Sequence, residues 1–571
     1  MRRCFPIALL LAALTGHAQT VALRHDVLIT ELMADPSPQV GLPPGEFVEV
    51  TNVSTRAIDL KGWRVTDGNS TGLVAQSLPL PPGSRAILCS RGYASEFAIL
   101  GTSMGLSGFP SLDNEGDRIT LVSPEGRTIH SVAYAPSWYG NPVKSAGGWS
   151  LEMIDPGSPC LGADNWTASR DPSGGTPGKT NSVSGTVRDS LAPRLLRTYT
   201  VDSLHLVAVF DESLDSASGA DPKRYEIDKG IGHPVSASPL APMFHEVSIR
   251  LATPMRQGTV YLLSARMQRD CAGNPMTTGM QRRAGLPGTA ADRQVRINEI
   301  LFDPPSGGSD YVELLNLGPG TLDAYDLYLS STPNVSPSNT PRRCSESPFL
   351  VFPGDHIVFS ADTGHVVRSH PDADKGLLVR MNALPTLPDD SGSLLVFNAA
   401  GRELDGFRYN ARMHHPLLYE KEGVSLERID PLSPTQDTYN WQSAATDAGY
   451  GSPTRKNSQY RRMDTASAEI DVDPETLSPD MDGFDDLLTV AYRFKEGGHT
   501  ASVYVYDPFG RKVRTIARNV LCGSSGYFRW NGLDEVDGRI PSGPYCLVFE
   551  SMGPNGRARI WRKPIVVAYR R

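Results

Sequence analysis

Four aspartates crowd one short stretch, Asp480, Asp482, Asp485 and Asp486, with Gly483 among them. Carboxylate oxygens this close together, on a chain able to turn, suit a hard cation, and calcium accepts such irregular oxygen sets. Asp480, Asp482 and Asp485 are the expected ligands. The same residue types also build a plain solvated turn, in which Asp caps its own backbone, and the distal bidentate Glu of an EF-hand is absent at the expected spacing. A second set of carboxylates, Glu31, Glu49, Glu299 and Glu313, lies inside strand-like runs. Paired carboxylates can act as general acid and base. Their recurrence at matched places in two parts of the chain points instead to folding, with a buried or rim carboxylate accepting backbone or Arg hydrogen bonds.

No Gly-x-Ser-x-Gly elbow, phosphate-cradling Gly loop or His-Glu-x-x-His helix occurs. The usual nucleophilic, phosphoryl-transfer and zinc-hydrolase sites therefore have no anchor, and no cofactor is implied. His414-His415, His356 and His365 lack metal-ligand spacing and are expected to be solvated loop residues. Trp166 and Trp441 are expected to plug sandwich ends, stacking on a sugar being the rival use of an indole face. Exposure of Trp63, Trp138 or Tyr139 as stacked aromatics on one face would favour carbohydrate binding, and burial of all three would argue against it.

The elements that position these residues are strands. The 571 residues are 39% hydrophobic and 21% charged, with 54 Gly and 46 Pro, a composition suited to many short strands joined by turns. Apolar residues alternate with period two, as in Phe47-Val48-Glu49-Val50 and Arg118-Ile119-Thr120-Leu121-Val122. Such strands cover their apolar faces by packing as β-sandwiches. A long repeat organises them: Ser150-Leu151-Glu152-Met153-Ile154-Asp155-Pro156-Gly157-Ser158-Pro159 returns as Ser425-Leu426-Glu427-Arg428-Ile429-Asp430-Pro431-Leu432-Ser433-Pro434. Asn165-Trp166 returns as Asn440-Trp441, and Gly175, Pro177, Asn181 and Ser182 as Gly451, Pro453, Asn457 and Ser458. Upstream, Glu46-Phe47-Val48-Glu49 falls on Asp310-Tyr311-Val312-Glu313. The spacing is 264 residues at the earlier motifs and 275 from Ser150 to Trp166, with the Gly175 to Ser182 motif one residue later in register, so the middle of the second copy carries a net eleven-residue insertion, expected as a surface loop around Ser331 to Ser347. Glu152 and Glu427 are expected to satisfy the turn that Asp155-Pro156 and Asp430-Pro431 shape.

The order Ile29-Thr30-Glu31-Leu32, Glu46-Phe47-Val48-Glu49-Val50-Thr51-Asn52 and Ile58-Asp59-Leu60-Lys61-Gly62-Trp63 resembles the lamin tail domain, which implies an immunoglobulin-like β-sandwich. The resemblance covers residues 24–182 and again 293–458, although the second copy has Asp326-Leu327 in place of Gly62-Trp63. It transfers no catalytic residues. Residues 188–288, with the acidic turn Asp211-Glu212 and the closing Asp270-Cys271-Ala272-Gly273-Asn274, look like a bacterial immunoglobulin-like surface domain, which implies a spacer. Residues 467–571, with Asp507-Pro508-Phe509-Gly510-Arg511 as a turn and then Phe528-Arg529-Trp530-Asn531-Gly532, are similar to the immunoglobulin-like fold of flagellar hook-capping proteins and to gliding-motility-associated carboxy-terminal domains in Bacteroidetes. That likeness implies a role in type IX secretion or surface attachment.

Residues 1–18 combine Arg2 and Arg3, an apolar run from Ile7 to Leu14 and small residues before Gln19, the pattern of a secretory signal peptide. Six cysteines follow it, and Cys522 with Cys546 is the pair on neighbouring predicted strands that could bridge or stay as thiols. A formal charge of −8 offers no field for nucleic acid. The expectation is an all-β chain of serial immunoglobulin-like sandwiches, secreted or on the outer cell surface. It is expected to be non-enzymatic and to bind an extracellular protein or polysaccharide; an accessory or carbohydrate-binding role beside extracellular hydrolases is the alternative.

Overall fold

The computed structural model describes residues 21–569 apart from 333–339, 416–417, 419, 461–468, 495–498, 523–524 and 554–555. The expected signal peptide, the middle of the expected insertion and the boundary near 467 lie outside the described residues. The chain is nearly all β, and its longest helix among the described residues is Thr363–Ser369. It divides into two compact units: Met1–Leu196, Val207–Ala252 and Leu263–Arg282 form one, and Arg197–Leu206, Thr253–Leu262 and Arg283–Arg571 the other.

In the first unit a six-stranded sheet runs Trp166–Ala168, Leu151–Met153, Val27–Met33, Phe47–Asn52, Arg85–Ser90, Ser103–Leu106, the last pair being parallel. A four-stranded sheet holds Thr128–Tyr134, Asp117–Val122, Arg64–Thr66 and Thr71–Leu73. Period-two alternation sends Ile29, Leu32, Val48, Val50 and Leu88 into one core with Trp63, Val65, Ile119, Leu121 and Val132. The opposite face of the large sheet is not left to water, as an antiparallel sheet's outer face commonly is. Met33, Phe47, Ile87 and Cys89 on that face pack on Phe97 of the short helix Ala94–Phe97. Both faces being covered, every residue of Val27–Met33 and Phe47–Asn52 is buried.

Further along the same unit, Tyr225–Ile227 pairs with Leu263–Ala265, and Ser236–Pro239 with Glu246–Arg250. Cys160 and Cys271 form a disulfide, with Cα atoms 6.3 Å apart, that ties this segment to the first copy of the repeat.

The second unit repeats the first sheet: Leu378–Arg380, His356–Ser360, Tyr311–Asn316, Val295–Leu301, Leu426–Arg428, Trp441–Ser443, again with a parallel edge pair. Arg342–Arg343, Leu327–Ser330, Ser391–Asn398 and Glu403–Asn410 form the four-stranded sheet. Arg342–Arg343 and the buried Cys344 belong to the expected insertion, so part of it extends a sheet edge. The terminal segment folds as a three-stranded sheet (Ile470–Asp473, Leu488–Arg493, Ser525–Trp530) and a five-stranded one (Thr476–Leu477, Ala558–Val567, Gly543–Met552, His499–Tyr506, Lys512–Cys522) around Val490, Val503, Leu547 and Phe549. Cys522 and Cys546 are free thiols here. They flank opposite ends of His499–Tyr506, Cys522 opposite His499 and Cys546 opposite Tyr506, so a whole strand separates them.

Candidate functional site

The polar feature common to both copies is a row of three buried glutamates on adjacent strands. Glu31 stands opposite Glu49 on one side and Glu152 on the other; Glu299 stands opposite Glu313 and Glu427 in the same way. All six are 0% exposed. A β-bulge sets the geometry, because the register slips between Ile29 and Glu31 and, in the second copy, between Ile297 and Glu299. The extra residue joins the row: Thr30 Oγ1 donates to Glu49 Oε1 at 2.9 Å, and Asn298 Nδ2 to Glu313 Oε1 at 2.7 Å.

Buried carboxylates need donors, and the repeated Gly-x-Pro segment downstream supplies them as a strap across the sheet. Thr176 N–H donates to Glu31 (2.8 Å) and Gly178 N–H to Glu49 (2.7 Å), while Thr176 Oγ1 and Ser182 Oγ donate to Glu152 (both 2.8 Å). In the second copy Ser452 N–H donates to Glu299 (2.9 Å) and Thr454 N–H to Glu313 (2.6 Å); Ser452 Oγ (2.6 Å) and Ser458 Oγ (2.7 Å) donate to Glu427. Asn181 and Asn457 pin the strap by donating to backbone carbonyls of Thr30 and Met153, and of Asn298 and Arg428. The strap lies so close that a Cβ on Gly175 would sit 2.7 Å from Glu31 Oε1 and Ser150 Oγ.

Burial, and for some of these groups the neighbouring carboxylates, raise the affinity of the row for protons. Glu31 is held well above the ordinary range by burial and then by Glu49. Glu49, Glu299 and Glu313 are pushed up to about 7, burial being the main cause in each. The copies differ in the cation facing the row: Arg85 Nε lies 3.5 Å from Glu49, whereas His356 Nδ1 lies 3.0 Å from Glu313. Sealed beneath the strap, these carboxylates cannot reach a substrate, so their chemistry is to fasten each sandwich shut.

Glu152 and Glu427 thus belong to the row and not to the Asp-Pro turn. Asn165 and Asn440 hold that turn, accepting from Asp155 N–H (2.8 Å) and Asp430 N–H (2.9 Å) and donating back to the carbonyls of the same residues. His414 and His415 are buried, not solvated, because Ser443 Oγ lies 3.1 Å from His414 Nδ1 and accepts the His415 N–H, and Phe302 packs beside His414. Burial pushes both imidazoles down to about 4. His356 faces Glu313 from its strand and His365 lies in the helix Thr363–Ser369. Trp166 and Trp441 are in the cores. Trp63 and Tyr139 are buried and Trp138 half-buried.

In the terminal segment, Asp480, Asp482 and Asp486 bring carboxylate oxygens within 4.8 Å of one another. Asp486, not Asp485, completes the group. Asp485 sits at φ +56° and accepts Ser478 N–H with its main-chain carbonyl, whereas Asp486 accepts Met481 N–H (2.5 Å) and Gly483 N–H (2.7 Å). Burial pushes Asp486 up to about 6. These three residues are the ones that could hold a hard cation here.

A further acidic group, Asp189, Glu212 and Asp270, comes together from segments that no sequence spacing links. The Asp-x-Ala-Gly-Asn motif places Asp270, which accepts Asn274 N–H (2.8 Å) and Asn274 Nδ2 (2.7 Å). Burial, then Asp270 and Asp189, push Glu212 up to about 8. Glu212 and Asp189 line a cleft of about 540 Å³ whose other walls include Arg24, His25, Trp138 and Phe244. Arg24 reaches from the first copy to the carbonyl of Leu214 (3.1 Å) and Ser213 Oγ (2.5 Å) and lies over the Phe244 ring.

Residues 20–136 match the Lamin Tail Domain family. That stretch holds the lamin-tail motif order and two glutamates of the first row, while Glu152 and the strap lie beyond it. No curated protein matches the chain. Among solved structures, domains 1–6 of the surface layer protein SbsC align at 11% identity over 67% of this chain and 55% of that chain (TM-score 0.16). Dimeric latent PorU from Porphyromonas gingivalis aligns at 10% identity over 71% and 35% (TM-score 0.15). PorZ, a surface component of the type IX secretion system of the same bacterium, aligns at 10% identity over 92% and 85% (TM-score 0.13). The chain spans between 40% and 55% of the S-layer chains it aligns with. At these scores the likenesses say nothing about what this chain binds. Among the described residues no helix is long and apolar enough to cross a membrane.

Proposed function

We propose that this chain is an exported, non-enzymatic scaffold of serial β-sandwiches that displays loop tips at or outside the cell surface. The Cys160–Cys271 disulfide carries the reading, because a structural cross-link of this kind forms and persists in oxidising compartments outside the cytoplasm. The sealed glutamate rows support it: the carboxylates best suited by type to acid and base work are committed to closing the sandwiches. Apolar side chains at loop tips, such as Ile99 (85% exposed), Phe509 (83%) and Val536 (85%), are the surfaces offered to a partner protein or polysaccharide. Burial of Trp63 and Tyr139 removes two of the three aromatics on which the carbohydrate-binding alternative rested.

Residues 1–18 direct export in this reading, and 467–571 act as a sorting or attachment domain. Fractionation of cells expressing the full chain, a chain lacking 1–18 and a chain lacking 467–571 tests this. The first truncation is expected to stay in the cytoplasm and the second to leave the cell surface. Unchanged surface localisation of the second would refute the attachment role.

A further inference from the structure

We infer that His25, Cys160 and Cys271 form a site for a borderline-soft transition-metal ion, zinc above all, whenever the Cys160–Cys271 disulfide is open. The three side chains place Nε2 or Nδ1 and both Sγ atoms within 4.8 Å of one another. A tetrahedral zinc bound by imidazole and thiolate needs a ligand N···S separation of about 3.6 Å and an S···S separation of about 3.8 Å. His25 Nε2 already lies 3.8 Å from Cys160 Sγ. Once the S–S bond is broken, side-chain rotation lets the sulfurs part, while the backbones of Cys271 and His25 are held. Cys271 N–H donates to Ser213 O at 3.2 Å, and His25 N–H donates to Ile129 O at 2.9 Å.

Two further observations single out His25. Its backbone is left-handed, at φ +69°, a conformation that a residue other than glycine adopts at a cost. Its ring is braced edge-on by His130, centroids 5.7 Å apart, so the imidazole is aimed before any metal arrives. His25 and Cys160 also line the 540 Å³ cleft, which gives an ion a way in and leaves room for water at the fourth position.

The chemistry balances simply. A phosphine or dithiol reductant delivers two electrons to the disulfide, and two protons convert the sulfurs to thiols; a chain not yet oxidised holds both thiols without any reductant. Metal binding releases those two protons, and His25 ligates through a neutral nitrogen. The ion then replaces the disulfide as the clip between the first repeat copy and the segment after it.

Cobalt(II), used as a spectroscopic stand-in for zinc, provides the test. The full chain, reduced with a phosphine under anaerobic conditions, is expected to give a thiolate-to-cobalt charge-transfer band and the ligand-field bands of a tetrahedral ion, and the oxidised chain neither. The double variant Cys160→Ser/Cys271→Ser keeps the four other thiols of the described chain and is expected to lose the band. His25→Asn is the informative single change, since Asn tolerates the left-handed backbone. It should weaken cobalt binding by at least about tenfold, while the melting temperature of the oxidised variant stays at the wild-type value. A band that survives in the double serine variant, no band in reduced wild type, or a His25→Asn titration indistinguishable from wild type would overturn the site.

Discussion

Replacing Cys160 with serine removes the cross-link without touching either sandwich core. The bond spans 111 residues. Closing a loop of that length in the unfolded chain costs entropy worth about 4.8 kcal/mol at 25 °C in the chain-entropy description, and native disulfides deliver about 2–5 kcal/mol. The cross-link joins two segments with separate strand pairings, so while one stays folded it holds an end of the other and narrows the ensemble open to it on unfolding. Urea unfolding read by pulse proteolysis with mass spectrometry reports residues 24–182 and 195–284 separately. In Cys160→Ser the midpoints should fall below those of the oxidised wild type. Cys271→Ser should match Cys160→Ser, and the double variant should add nothing, because all three remove one bond. A loss below about 1 kcal/mol would show that this disulfide does not constrain the unfolded chain.

Other consequences are equally open to measurement. Glu31, Glu49, Glu299 and Glu313 hold protons more tightly folded than unfolded, the last three up to about 7. Between their ordinary 4.5 and about 7 these four groups bind more protons folded than unfolded, so they make stability fall as pH rises through that window, while His414 and His415, held down to about 4, act in the opposite sense up to their ordinary 6.5; a pH profile of the melting temperature left unchanged in shape by Glu49→Gln would refute the sealed rows. Gly175→Ala forces a Cβ to 2.7 Å from Glu31 Oε1 and should cost about 1–3 kcal/mol, whereas the stabilisation of about 0.4–1 kcal/mol seen at unstrained glycines would mean that the strap does not seat there. Asp486→Ala strips the acceptors from Met481 N–H and Gly483 N–H and should lower the melting point of the terminal segment at any calcium concentration. If the loop also holds calcium, added calcium should raise the wild-type melting temperature more than that of Asp482→Ala; no difference would leave a self-capped turn.

Local pattern carried the strands, because alternation and the recurring Ser-Leu-Glu-x-Ile-Asp-Pro run are written in neighbouring residues. The glutamate row was half legible. Glu31, Glu49 and their counterparts stood out as carboxylates inside apolar runs, but Glu152 and Glu427 join them only through the pairing of strands far apart in sequence. The repeat held the missing signal: a Glu kept in a strand in both copies, followed by a kept Gly-Pro strap with Asn and Ser to donate. The Cys160–Cys271 bond and the Asp189, Glu212, Asp270 group unite segments that no local spacing connects. His414-His415 looked solvated because its flanks are loop-like, and the Ser443 hydroxyl that buries it arrives from another strand.

Proteolysis of intact cells under thiol-blocking conditions, with mass spectrometry of the released peptides, tests the exported scaffold most directly. Release of a peptide in which Cys160 is disulfide-linked to Cys271, from cells whose cytoplasm stays closed to the protease, is the predicted result. A chain that remains protected inside the cell, with both cysteines alkylated as free thiols, would contradict it.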